Sequence, residues 1–381
     1  MPGTPLHAEK DLWRIHRVNF ILREDAESIC GGDLDLQELK NCSILVTGAN
    51  GMIASYAVRI LLHLNDMYPG FNITVIAMCR SMQKARERFH DLLDNPYLLI
   101  KRGDLSEPLA EPGHVDYILH AASLASSEHC RLNPAGVILP NVIGTRYLLD
   151  MAREKKSRGF LFLSSGEVCG ESDKKIITEN DIGSLDPTQL RNCYGESKRM
   201  GENMCVAWCH QYGVPAMAVR LEHTYGPTMD LNNDHRVFAE FVADVVNRRD
   251  IVLKSDGLAE RTFCYAADAM DGFLRVLLKG NAGQTYNIGN MGAHSSVRNL
   301  ADTLVSLFPE MGLKVIQRER AEGDAHMEHK NRQRPMLSTA KIENLGYTCK
   351  FGIREGFRRT ILSFVAEEEG HVDNAEARYG K

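Results

Sequence analysis

The chain lacks the long apolar runs of a membrane protein. No stretch of its 381 residues reaches the roughly 18 apolar residues of a spanning helix, so no membrane partner is expected. It has no basic excess: 45 Lys and Arg stand against 50 Asp and Glu, a net charge of −5. Nothing in that balance drives binding to a phosphate backbone, so no nucleic-acid partner is expected. The 10 cysteines have no framework spacing and read as reduced thiols in a cytoplasmic protein. Cys205, Cys209 and His210 lie close in sequence, yet further ligands at zinc spacing are missing, and the 14 histidines form no H-E-x-x-H pattern. No metal is expected. The opening residues, MPGTPLHAEKDLWRIHRVNF, carry charges and no apolar core, so no secretory signal is expected. Internal repeats and low-complexity runs are missing too.

What is present is a globular balance of 44% hydrophobic and 25% charged residues, which excludes a disordered chain. Leu12, Ile15, Val18, Ile21 and Leu22 recur at helical spacing, which predicts a helical N-terminal arm over residues 1–40. Short β-rich apolar runs follow at 43–47, 73–78, 115–120, 159–164 and 215–220, with helical stretches at 136–155 and 194–212. Strand and helix alternating in this way imply parallel strands with right-handed crossovers. The fold class is therefore α/β, a doubly wound parallel sheet that binds ligands at the carboxyl ends of its strands. Residues 41–225 are read as the dinucleotide-binding domain. From 226 to 381 the segments shorten and isolated arginines appear, which reads as a smaller substrate-binding part with some segments returning to the sheet. The charged tail from Glu367 onward is expected to fray.

Between the first strand and first helix lies Thr47-Gly48-Ala49-Asn50-Gly51-Met52-Ile53-Ala54. Gly48 permits a tight turn, Gly51 lets backbone approach a pyrophosphate, and Ala54 allows close helix–strand packing. The helix N-terminus then offers free N–H groups to phosphates, here with Asn50, Met52 and Ile53 around it. Arg80 ends the second strand, where an acid would hold a ribose 2′-hydroxyl. An arginine there meets a 2′-phosphate or stacks on adenine, so NAD and NADP both remain open. Asp104 and Leu105 are placed to touch the adenine, and Ala121, Ala122 and Ser123 supply small residues where a strand end meets the cofactor.

Tyr194 and Lys198 stand four residues apart on a predicted helix and share a face. An ammonium beside a phenol lowers the phenol pKa, which makes Tyr194 a candidate general base and Lys198 its partner on the nicotinamide ribose. Ser165 at the preceding strand end would share the proton at a sugar O4. Glu167 would act at the neighbouring carbon.

These motifs together, TGANGMIA, HAAS, NVIGT, LSSGEV, YGESK, HTYGP and ERTFCYAADA with YNIGN after it, resemble the extended short-chain dehydrogenases/reductases acting on nucleotide sugars. The resemblance spans about residues 43–360 and implies a Rossmann-like domain with a smaller C-terminal substrate-binding part. Within that superfamily the chain most resembles the UDP-glucuronate decarboxylase and dTDP-glucose 4,6-dehydratase group. The resemblance implies a hydride-transfer triad of Ser165, Tyr194 and Lys198, and a glutamate for C5 chemistry in Glu167. It implies nucleotide-sugar contacts from His223, Arg236 and Arg261, tightly bound NAD, and a homodimer through the 136–155 and 194–212 helices. The chain departs from the pattern in three places. Gly166 stands where a 4,6-dehydratase carries an acid, Cys169 where a tyrosine is usual, and Thr228 where an arginine is usual. Decarboxylation through a 4-ketone is the leading expectation. A 4-epimerase, a 4,6-dehydratase and a catalytically silent binding protein are the alternatives.

Overall fold

The computed structural model describes residues 20–109, 113–318 and 334–365. Leu12, Ile15 and Val18 of the expected arm, and the tail from Glu367, lie outside these residues. The first helix, α1 (20–30), is held from its buried face, where Leu22, Ala26 and Ile29 join the main core. Asp25, fully buried, accepts hydrogen bonds from Tyr56 (2.8 Å), Tyr265 (2.9 Å) and Arg359 (2.7 Å). One carboxylate thereby joins the arm to three later parts of the chain.

The strands in chain order are β1 (Ser43–Thr47), β2 (Thr74–Cys79), β3 (Leu98–Arg102), β4 (Tyr117–His120), β5 (Gly159–Ser165), β6 (Ile176–Ile177) and β7 (Ala216–Leu221). They continue as β8 (His223–Tyr225), β9 (Ile251–Leu253), β10 (Glu260–Tyr265), β11 (Thr285–Ile288), β12 (His294–Ser296), β13 (Val315–Gln317) and β14 (Met336–Leu337). The helices after α1 include α2 (Met52–Met67), α3 (Met82–Arg88), α4 (Ser127–Leu132), α5 (Pro134–Leu139), α6 (Thr145–Lys155) and α7 (Cys193–Tyr212).

Seven strands form one parallel sheet in the order β11-β7-β5-β4-β1-β2-β3. Val, Ile, Leu and Phe fill its central strands and are buried on both faces, as a parallel sheet covered by helices requires. Strand order reverses between β1 and β4, so the two chains diverge there and leave a crevice at their carboxyl ends. Smaller sheets sit above that edge. One runs β12-β10-β8, and another pairs β14 with β6. Strands β3 and β11 add to the strands expected from the sequence. The exposed, charged end of β3 (Lys101, Arg102) breaks the apolar pattern by which strands are recognised.

The stretch expected as one helix over 136–155 is interrupted. Pro140–Gly144 forms a π turn between α5 and α6. Pro140 has no N–H to give the ladder, which accounts for the local widening. The turn buries Asn141, whose Nδ2 donates to Ser197 Oγ of α7 at 3.0 Å.

Candidate active site

The crevice between β1 and β4 is shaped by glycine. Gly48 has φ +67°, and a Cβ on it would lie 2.6 Å from the Cα of Ala122. Only glycine fits that left-handed turn and that close approach. Gly51 then caps α2, whose first turn carries no acidic residue and no side-chain cap. Its N–H groups and positive dipole end are left for an anion. Met52 and Ile53 form this first turn. Two buried polar atoms at the crevice, Asn50 Oδ1 and Ser123 Oγ, have no hydrogen-bond partner. Buried polar atoms ordinarily have one, so these two await a ligand. Asn50 is fixed from its other end, its Nδ2 donating to Ser81 O at 3.1 Å. A dinucleotide fits this cradle.

The remaining cofactor candidates line the same edge. Arg80 is exposed just past β2. Asp104 is close enough to feel its charge, and its carboxylate is held below the usual range first by hydrogen bonds from Ser106. Leu105 is buried against Gly144. The Thr47 hydroxyl accepts from Ala122 N at 3.3 Å. His120 is fully buried among Thr47, Thr145 and Pro140 O. Burial pushes its pKa down to about 3, so it is a neutral structural group.

On the opposite wall, β5 ends at Ser165 and α7 passes over it. Ser165 Oγ accepts the Glu167 N–H at 3.2 Å and lies within hydrogen-bonding reach of the Tyr194 phenol. Lys198, 2% exposed, donates to Leu163 O at 2.6 Å. Its Nζ is 5.8 Å from the Tyr194 ring centre. Burial pushes the Lys198 pKa down to about 7. The Tyr194 pKa is pushed up to about 12 by burial, with Glu167 adding to the rise and the Ser165 hydrogen bond opposing it. This corrects the expectation that Lys198 lowers the Tyr194 pKa. The ammonium is spent on a backbone carbonyl, and loss of water around the phenol dominates.

Behind this wall Arg220 and Glu202 form a buried ion pair at 2.8 Å. Glu202 also accepts from Ser164 Oγ, so β5, β7 and α7 are locked together one layer below the phenol.

Glu167 forms an ion pair with Arg334, a residue the sequence reading did not single out. Arg261, on β10, lies near both. His223 starts β8, in register with Phe263 of β10. Its ring meets Phe238 edge-on at 6.1 Å, and its buried Nδ1 has no partner. Arg236 is turned toward Asp234, at 2.6 Å, and lies over Phe238. Glu222 is a further unanticipated acid. It accepts Leu337 N at 2.8 Å, and burial pushes its pKa up to about 7. At Gly166 an added Cβ would meet Leu337 at 3.5 Å and the Leu221 carbonyl oxygen at 3.6 Å, both ordinary contacts. Its missing side chain is therefore not a steric necessity. Thr228 donates to Met52 O at 2.8 Å and is buried.

Among the described residues no group of three His, Cys, Asp or Glu is arranged to hold a metal. No described helix is long and apolar enough to cross a membrane.

The profile of the NAD dependent epimerase/dehydratase family matches residues 44–289. UDP-glucuronic acid decarboxylase 6 of Arabidopsis thaliana is 32% identical over 317 residues, covering 83% of this chain and 87% of that protein. UDP-glucuronic acid decarboxylase 1 of Xenopus tropicalis is 30% identical over 341 residues, covering 89% and 76%. Among solved structures, a dTDP-glucose 4,6-dehydratase from Streptomyces venezuelae with NAD bound aligns with TM-score 0.69 and 25% identity, over 84% of this chain and 96% of that one. The UDP-glucuronic acid 4-epimerase of Bacillus cereus, solved with UDP-glucuronic acid and NAD, shares the fold with TM-score 0.69 and 20% identity, over 84% and 98%.

Proposed function

The chain belongs to the NAD dependent epimerase/dehydratase family, and from that premise we propose that it decarboxylates UDP-glucuronate through a 4-keto intermediate. Its cofactor is NAD, as in the solved relatives. Among residues here, Gly48, Asn50, Gly51, Met52, Ile53, Ala121, Ala122 and Ser123 would hold it, with Arg80, Asp104 and Leu105 at the adenine end. What bound NAD supplies is a reversible hydride acceptor and, while oxidised, a positive charge beside the phenol.

The chain's own groups do the rest. Tyr194 takes the O4 proton, and Ser165 holds the O4 hydroxyl in line with it. Lys198 turns from Leu163 O to the nicotinamide ribose and brings its charge to the phenol. Once C4 is a ketone, the C5 carboxylate is a β-keto acid and leaves as carbon dioxide. Glu167 governs the proton at C5. Arg261 and Arg236 pair with the diphosphate and His223 with the nucleotide sugar.

The observation that carries this reading is Gly166. A dehydratase needs an acid there to protonate a departing hydroxide, and carbon dioxide needs none. A Cβ at this position would make only ordinary contacts, so tight packing is not what calls for glycine, and its lack of an acid weighs against dehydration. A second reading, 4-epimerisation of a nucleotide sugar, is favoured by Thr228, which replaces an arginine with a hydroxyl turned to Met52 O. Incubation with UDP-glucuronate, UDP-glucose and dTDP-glucose tests both. A product lighter by carbon dioxide supports decarboxylation, unchanged mass supports epimerisation, and loss of water supports dehydration.

The same reading includes a homodimer through α5, α6 and α7. The exposed apolar side chains of Leu132, Ile138, Leu139 and Val206 on α5, α7 and the adjoining α4 support it, because a subunit contact through these helices would take them out of water. A cytoplasmic location is supported by ten free cysteines.

A further inference from the structure

Two thiols flank the site and take no part in the chemistry above. Cys193 opens α7 immediately before Tyr194. Cys130 lies in α4, just after the strand-end segment that carries Ser123. Helix α4 packs against the 190–192 turn that leads directly into Cys193, which brings the two thiols close enough to interact with each other and with Glu167 and Tyr194. Cys130 is 8% exposed, whereas Cys193 is only partly buried. Neither is in a disulfide.

We propose that Cys130 and Cys193 are a reversible modification site, closing to a disulfide on reaction with a hydroperoxide and thereby switching off the site beside them. The balance is simple. Partly exposed Cys193 attacks the peroxide, the O–O bond breaks, and Cys193 becomes a sulfenic acid with release of an alcohol or water. The Cys130 sulfur then displaces that hydroxyl, forming the S–S bond, and its thiol proton leaves with the hydroxyl as water. Two thiols are oxidised and one peroxide is reduced. A cellular dithiol reverses the bond by exchange. Burial pushes the Cys130 thiol up to about 12. It is therefore a poor first nucleophile, and its role is to resolve an intermediate already close by. The bond would tie α4 to the first turn of α7, where Tyr194 is the next residue, and hold the phenol away from its working position.

The test uses the full chain with hydrogen peroxide as the probe. Free thiols are then blocked and the protein is digested without reduction. The expected result is a peptide linking 130 to 193, lost on adding dithiothreitol, with turnover lost and regained in parallel. Cys130→Ser should retain turnover and resist peroxide. The proposal is overturned if no linked peptide forms and Cys193 passes to its higher oxidation states, or if the link forms and turnover is unchanged. The linked peptide is read without any substrate, so it also stands apart from the nucleotide-sugar reading.

Discussion

Lys198 and Tyr194 share one face of α7, yet the lysine ammonium donates to Leu163 O at 2.6 Å and sits 5.8 Å from the phenol ring centre. The phenol pKa is pushed up to about 12. In the proposed reading the ligand-free site holds the Tyr194 phenol protonated, and cofactor binding is the step that would activate it. Ultraviolet titration of the tyrosines should show one group whose pKa falls when NAD is added and whose fall is lost in Lys198→Met. An unchanged titration would remove the coupling.

Tyr194→Phe should fold and bind NAD while losing about 10²–10⁴-fold in turnover, the usual contribution of a positioned acid–base group. Lys198→Met should lose turnover and also bind NAD more weakly, since its proposed partner is the nicotinamide ribose. Steady-state kinetics beside a direct NAD titration separates the two.

Gly48→Ala puts a methyl 2.6 Å from the Ala122 backbone at φ +67°. Backbone strain of this kind costs about 1–3 kcal/mol. The variant should melt earlier and lose NAD affinity, by thermal denaturation with and without NAD. Full NAD affinity would mean the crevice is not the cofactor cradle.

Much of this site was legible because it is local in sequence. Tyr194 and Lys198 are one helical turn apart, and the Gly48–Gly51 turn needs only its flanking strand and helix. Arg334 and Glu222 were not legible. Arg334 precedes Pro335 in a segment with no periodicity, and only the pairing of β14 with β6 carries it to Glu167. Glu222 reads as one more charge after a strand until the fold buries it. The sign of the Tyr194 shift failed for the same reason, since spacing shows the neighbouring ammonium and hides the loss of water. The π turn at Pro140 was hidden by apolar periodicity that continues through it.

In the proposed reading Arg334 bears on substrate choice. Through its pair to Glu167 it lies beside a proposed catalytic group, where that reading would have it meet a sugar carboxylate in place of Glu167. Arg334→Ala should raise KM for UDP-glucuronate by about tenfold, comparable to one charge-assisted hydrogen bond, and affect UDP-glucose binding little. Equal losses for both sugars would assign Arg334 to the diphosphate instead.

Glu222 gives a pH prediction with a definite sign. Its folded pKa is about 7 against an ordinary 4.5. Between these values the folded chain holds a proton that the unfolded chain releases, so this group lowers stability as pH rises across that window. Glu222→Gln should remove that part of the slope in urea midpoints measured from pH 4.5 to about 7. An identical slope in the variant would mean Glu222 is ionised throughout.

The most direct test of the whole account is to follow UDP-glucuronate carrying deuterium at C4. A hydride that leaves C4 and returns predicts release of carbon dioxide and a nucleotide pentose that keeps its deuterium at C4. Release of carbon dioxide with deuterium washed into solvent, or recovery of the substrate unchanged, would contradict it.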